Sequence, residues 1–264
     1  MKIIDLHTHV FPDKIAEKTI KSLAKEADTE AFLDGTVADL KRSMDMAGIT
    51  LSVNQPIATM PSQVVSINNW AKSIENGRII SFGTMHPLFE DYAEELRRLK
   101  KLGIKGIKIH PDYQKFHPDE EHVFPIYESL VENDMAVLFH AGVDIGLYPP
   151  VHATPQRLAK VLNKFPKIKL IAAHLGGYEC WDEVESFLVG RDLFFDTSYV
   201  IDYMETDRLV RIMREHGFDK ILFATDSPWK PQPEEVKKIL SLPVPEKAKE
   251  DILYNNACRL LKLC

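Results

Sequence analysis

The chain has 264 residues, 45% of them hydrophobic and 27% charged, a balance that suits a soluble globular protein with a sizeable core and excludes disordered and collagen-like chains. Its formal net charge of −6 offers no footprint for nucleic acid, and the densest basic stretch, residues 97–108, follows Glu94 and Glu95 on a solvated helix face. No apolar run reaches the roughly 18 residues that span a bilayer, and Met1 leads straight into a strand, so a cytoplasmic protein without membrane or nucleic-acid partners is expected.

In chain order, the first strand is IIDLHTH (3–9), followed by a helix-like excursion (13–27) and a helical pattern (37–48). Strands follow at ITLSVNQP (49–56), IISFGTMHP (79–87) and IKGIKIHP (104–111), with a helical pattern at 92–103 between the last two. A helix at 123–134 leads to MAVLFHAG (135–142), and one at 154–165 leads to IKLIAAHLGG (168–177). Helical spacing at 181–188 precedes LFFDTS (193–198), and at 207–217 it precedes KILFATDSPW (220–229). Several helices end in Gly before the chain re-enters an apolar run, the usual left-handed stop.

Strand and helix alternate eight times, which calls for parallel strands joined by helical crossovers. A doubly wound open sheet competes, but its Gly-rich phosphate loop is missing after the first strand. Eight units in this length match an α/β (β/α)8 TIM barrel, one domain over 1–264, with a small excursion between strands 1 and 2 acting as a cap. The three cysteines, Cys180, Cys258 and Cys264, lack Cys-x-x-Cys spacing and argue against a disulfide framework or a thiolate zinc site.

Side chains alternate faces along a strand, so Asp5, His7 and His9 are expected on one side. His9, His86, His110, His140 and His174 each close a predicted strand, as does Asp226, with Asp196 late in the seventh. A parallel barrel carries all these ends to one rim, where barrel active sites lie. A divalent cation is the simplest balance for such a cluster; imidazole and carboxylate donors suit zinc, manganese or iron. Such an ion would lower the pKa of water and polarise a substrate oxygen, with Asp226 accepting a proton and His174 serving as acid, base or electrostatic support.

At DLHTH, LFHAG, AAHLGG and ATDSPW, in that order over nearly the whole chain, the sequence resembles the amidohydrolase superfamily of metal-dependent barrels. More narrowly it is similar to the amidohydrolase-related subgroup, which includes aminocarboxymuconate semialdehyde decarboxylase, aromatic acid decarboxylases and hydrolases of cyclic esters or amides. The resemblance implies that His7, His9, His140 and Asp226 bind one metal ion, commonly zinc, with His174 catalytic beside it. It also implies a second ion if Lys108 is carboxylated, as in the binuclear members; otherwise Lys108 is a partner for a substrate carboxylate or a structural ion pair.

His86, His110, Tyr199 and Trp229 are expected to line the substrate pocket with Lys108, against the plainer reading that they end strands or pack. Tyr113 is a further wall, Asp5 an orienting group, and Asp196 a helix cap or pocket hydrogen-bonder. The leading expectation is a metal-dependent hydrolase attacking an amide, lactone or similar carbonyl of a small organic acid. The alternative is a non-oxidative, metal-dependent decarboxylase of an aromatic or unsaturated acid; a non-catalytic binding barrel comes third. Nothing in the sequence decides between a monomer and a homo-oligomer.

Overall fold

The computed structural model describes residues 1–147 and 149–264. Its strand segments are β1 (Ile4–Thr8), β2 (Leu51–Asn54), β3 (Ile79–Ser81), β4 (Gly83–Thr84), β5 (Gly106–Ile109), β6 (Ala136–Phe139), β7 (Lys169–Ala172), β8 (Phe194–Asp196) and β9 (Ile221–Leu222). They form two parallel runs, β1-β2-β3 and β4 through β9. The third predicted strand is thus divided at Phe82, whose N–H nevertheless donates to Asn54 O at 2.9 Å and stays in the ladder. The far edges also meet: Leu6 N donates to Phe223 O at 2.9 Å and Asp226 N to His7 O at 2.8 Å. A parallel bridge between Thr8 and Ser227 completes the seam. Eight strand positions therefore surround one axis, the α/β barrel that the alternation predicts.

Helices α1 (Asp13–Glu26) and α2 (Val37–Ala47) lie between β1 and β2. Thr36 caps α2 by accepting from Asp39 N, and Gly48 ends it at a φ of 68°. The expected helices over 92–103, 123–134, 154–165, 181–188 and 207–217 are all present, joined by Val64–Ser73 and Gln232–Ser241. Among the described residues no helix is long and apolar enough to cross a membrane.

Two apolar layers follow from strand alternation. Ile4, Leu6, Val53, Leu138, Ile171 and Leu222 form an inner cluster, which Ala257, Cys258 and Leu261 of the C-terminal helix join. Ile107, Ile109, Val137, Phe139, Phe195 and Ile221 belong to the outer layer with helix residues such as Leu99, Leu130 and Leu158. Each fully buried aliphatic side chain contributes about 1.5–3 kcal/mol of transfer free energy.

This layering corrects the expectation for Asp5. Ile4 and Leu6 face inward, so Asp5 faces outward, where it accepts from Thr225 N, Thr225 Oγ1 and Gln232 Nε2 at 3.0, 2.6 and 2.7 Å. The β1–β2 register shifts between Asp5 and Thr8, and the irregularity turns His7 and His9 toward the axis. Strict period-two alternation fails at that bulge. Cys258 and Cys264 lie side by side at the C-terminus, a single local pair and not a disulfide framework. Lys262, with φ 55°, turns the chain back after the last helix and brings the two together across six residues of sequence. Cys180 is free.

Candidate metal centre and its cavity

His7, His9 and Asp226 meet at the mouth because β1 and the segment after β9 are zipped together. His9 N donates to Ser227 O at 2.6 Å, and Asp226, at φ 60°, donates its N–H to His7 O. The two imidazole Nε2 atoms lie 3.1 Å apart, and Asp226 Oδ1 is 3.1 Å from His9 Nε2 and 3.5 Å from His7 Nε2.

Their tautomers follow from their outer partners. His7 Nδ1 donates to Asp196 Oδ2 at 2.8 Å, and His9 Nδ1 donates to the Gln55 carbonyl at 2.8 Å. In neutral rings both Nε2 atoms are therefore lone pairs, and they face each other and a carboxylate. Three electron-rich atoms this close repel unless a positive charge lies among them. Lys108 Nζ approaches His7 Nε2 at 3.1 Å, but it reaches only one of the three.

Asp196 is the hub of the support. Its Oδ1 accepts from His174 N at 2.9 Å and from Ser198 Oγ at 2.6 Å, while Oδ2 holds His7. His174 Nδ1 donates to Ser198 O at 3.0 Å, so His174 Nε2 is an acceptor and takes the His140 Nδ1 proton at 3.1 Å. His140 Nε2 is then a buried lone pair with no hydrogen-bond partner among the described residues. The loops after β6 and β7 hold this pair together through a Gly142–Tyr178 bridge; Gly142 has φ 84°, and a Cβ there would overlap the Tyr178 backbone.

His140 does not join the tight His7–His9–Asp226 group. It falls instead into a second one with His110 and Asp144. The rings of His110 and His140 stack at 4.1 Å. His110 Nδ1 accepts from Tyr113 N at 3.4 Å, capping the turn Pro111–Gln114, so its Nε2 carries a proton and donates to Asp144 Oδ2 at 3.1 Å. That tautomer spends His110 on Asp144 and leaves it without a lone pair for an ion.

The electrostatics agree with this division. Burial, reinforced by Lys108, holds His7 well below the ordinary imidazole range; burial and His110 do the same to His140. Burial pushes Asp226 upward, yet the adjacent His7 and His9 rings more than offset it, and the carboxyl is held well below its usual range. Burial lowers Lys108 to about 8 against the pull of Asp226 and Asp196. Neutral imidazoles, an anionic carboxylate and an orphaned ring nitrogen are what a divalent cation requires of its surroundings, and the donor set fits one.

A cavity of about 290 Å³ opens onto these groups. Its floor includes Lys108, His110, His140 and His174, and its apolar walls include Phe11, Ile57, Tyr199 and Trp229. α1 adds Thr19 and Leu23, so the excursion after β1 does cap the mouth, and Thr29 Oγ1 bonds the Tyr199 hydroxyl at 3.2 Å. His86, expected in the pocket, is not among the lining residues; its Nδ1 accepts from Leu88 N at 3.2 Å in the turn after β4. Sequence reasoning missed Gln55, which acts through a backbone carbonyl and leaves no side-chain signature, and Asp144, four residues past His140.

A closed parallel barrel with imidazoles and carboxylates gathered at the strand ends defines the class of metal-dependent barrel enzymes. A family model described as amidohydrolase matches residues 4–263, and the chain belongs to this amidohydrolase family. No curated protein matches the sequence. The fold is similar to 5-carboxyvanillate decarboxylase of Sphingomonas paucimobilis (15% identity, 99% of each chain covered, TM-score 0.73). It is also similar to 2,6-dihydroxybenzoate decarboxylase of Rhizobium (18% identity, 100% of this chain and 99% of the other, TM-score 0.73). A third likeness is the dihydroxybenzoic acid decarboxylase of Polaromonas sp. JS666 with bound manganese and 2-nitroresorcinol (19% identity, 99% and 97% covered, TM-score 0.72).

Proposed function

We propose that this chain is a single-domain, cytoplasmic carboxy-lyase that removes CO2 non-oxidatively from a small hydroxylated aromatic acid with the help of one divalent ion. The observation that carries the proposal is the cavity: apolar, aromatic walls suited to a ring stand above a floor of metal-type donors and Lys108. The decarboxylases of similar fold support the same reaction class over the hydrolase reading that the sequence suggested first.

His7, His9, Asp226 and the free Nε2 of His140 are the proposed ligands. Zinc and manganese both suit two or three imidazoles with a carboxylate, and a decarboxylase of similar fold carries bound manganese. When bound, the ion would supply a Lewis acid that fixes a substrate oxygen and withdraws charge from the ring. Lys108 would face the substrate carboxylate, with Tyr199 and Trp229 holding the ring and His110 bordering it. Asp226, anionic at rest, would accept a proton from a substrate hydroxyl or water and return one to the ring carbon as its bond to the carboxyl group breaks. His174, tied to Ser198 and His140, is the second proton-handling residue. The reaction consumes one proton and releases one CO2.

The experiment is CO2 release from a panel of hydroxybenzoates by metal-loaded protein, run beside acid release from lactones and amides. Turnover confined to the second panel would replace the carboxy-lyase reading with hydrolysis at the same site, which the family description itself favours.

A further inference from the structure

Asp144 is the one carboxylate of the cavity lining that the proposed ion and its ligands do not use. It lies just past β6, with its side chain 13% exposed. Both oxygens are fixed: Oδ1 accepts from Gly146 N at 2.8 Å, and Oδ2 accepts from His110 Nε2 at 3.1 Å. Among the described residues each oxygen keeps an unused acceptor site. No lysine or arginine forms an ion pair with it among the described residues; Lys108, the nearby cation of the floor, is turned to His7 Nε2. His140, 7% exposed, directs its orphaned Nε2 toward the same space, 4.0 Å from Asp144 Oδ2.

A rigid, poorly hydrated anion inside a binding cavity has a definite preference. It gains from an O–H or N–H donor, and it repels a second carboxylate through a low-dielectric medium. The Tyr113 ring packs on His110 at 4.4 Å and keeps that imidazole in line, so the carboxylate cannot easily swing away. Building on the carboxy-lyase reading, we propose that Asp144 determines specificity: it reads a hydroxyl or amino substituent on the ring and excludes a second acidic group there. The substrate class narrows to aromatic monoacids bearing a hydrogen-bond donor, with dicarboxylic acids rejected.

The test compares hydroxybenzoates with benzenedicarboxylates of matching substitution pattern, by calorimetric binding to metal-loaded protein and by CO2 release. Wild type is expected to bind the hydroxylated monoacids more tightly, and Asp144→Asn and Asp144→Ala are each expected to narrow that ratio at least about tenfold. Melting temperature and metal content, measured alongside, separate loss of selectivity from loss of structure. An unchanged ratio in both variants overturns the role of Asp144 and leaves the carboxy-lyase reading standing. An Asp144-dependent ratio without CO2 release sinks the reaction and keeps the specificity assignment. Failure of wild type to bind either class, or tighter binding of the dicarboxylates, overturns the proposal.

Discussion

His216 and His7 of the barrel mouth are both buried, yet they differ in what their nitrogens meet. His216 ends the helix Thr206–His216, with its ring stacked on Phe195 at 3.8 Å. Its Nε2 donates to Leu193 O at 3.0 Å, and its Nδ1 accepts from Gly190 N at 3.2 Å. Every polar atom is satisfied, and the ring is simply a planar piece of core. At the mouth, by contrast, Nδ1 of His7 and His9 is spent on fixing the ring, while Nε2 points at other electron-rich atoms. Burial does not distinguish a structural histidine from a ligand. The unpaired lone pair does.

The sharpest way to break this comparison is to disturb the mouth and look for an effect on chemistry without one on the fold. Asp226→Asn keeps size and a coordinating oxygen but removes the charge and the proton acceptor. Turnover is expected to fall by about 10²–10⁴-fold, the usual weight of a positioned acid or base, with metal content largely retained. Elemental analysis of the purified variant beside its CO2-release rate checks both halves. Wild-type turnover would strip Asp226 of its assigned role.

Next in size is an effect confined to the scaffold. Burial lowers His216 to about 4, from 6.5 in the free side chain, so the folded protein keeps this ring neutral where the unfolded chain takes up a proton. Between those values the unfolded state holds more protons, and stability falls as pH drops through the window from 6.5 to 4. The contribution at stake is at most about 3 kcal/mol. Urea unfolding of wild type and His216→Gln at pH 7 and at pH 4.5 measures it. The variant is expected to start lower at pH 7 and lose less on acidification; parallel losses would show that His216 does not titrate across folding.

How much of this was legible beforehand depends on which atoms carry the information. The order of DLHTH, LFHAG, AAHLGG and ATDSPW is a side-chain pattern, and it located the strand ends, the barrel and the gathering of histidines. The shift in the β1–β2 register is a backbone event, so alternation wrongly set Asp5 beside His7 and His9. The hold on His9 comes from the Gln55 carbonyl, which any residue could supply. His86 looked like its neighbours because it too precedes proline at a strand end, but the following turn takes its ring. Pairing between loops was equally hidden: the Gly142–Tyr178 bridge draws His140 toward His174, and the tautomer of His110 settles only once Tyr113 N is seen to donate to it.

Asp196 sharpens the comparison most finely, since it would give no atom to the ion and acts through the His7 ring and the turn after β7. Its Oδ2 accepts the His7 Nδ1 proton and its Oδ1 holds the His174 backbone, so Asp196→Asn replaces one of those acceptors with an amide NH2. If the amide nitrogen faces His7, the ring is pushed to its other tautomer and Nε2 ceases to be a lone pair. If it faces His174 N instead, the turn after β7 loses its anchor. Either way metal affinity is expected to weaken about 10–100-fold, the usual weight of an outer partner of a histidine ligand. Competition with a chelator of known affinity reads this without any assay of turnover. A purely structural role would lower the melting temperature of the metal-free protein and leave affinity at saturating fold unchanged, which is the reverse of what the lone-pair argument requires.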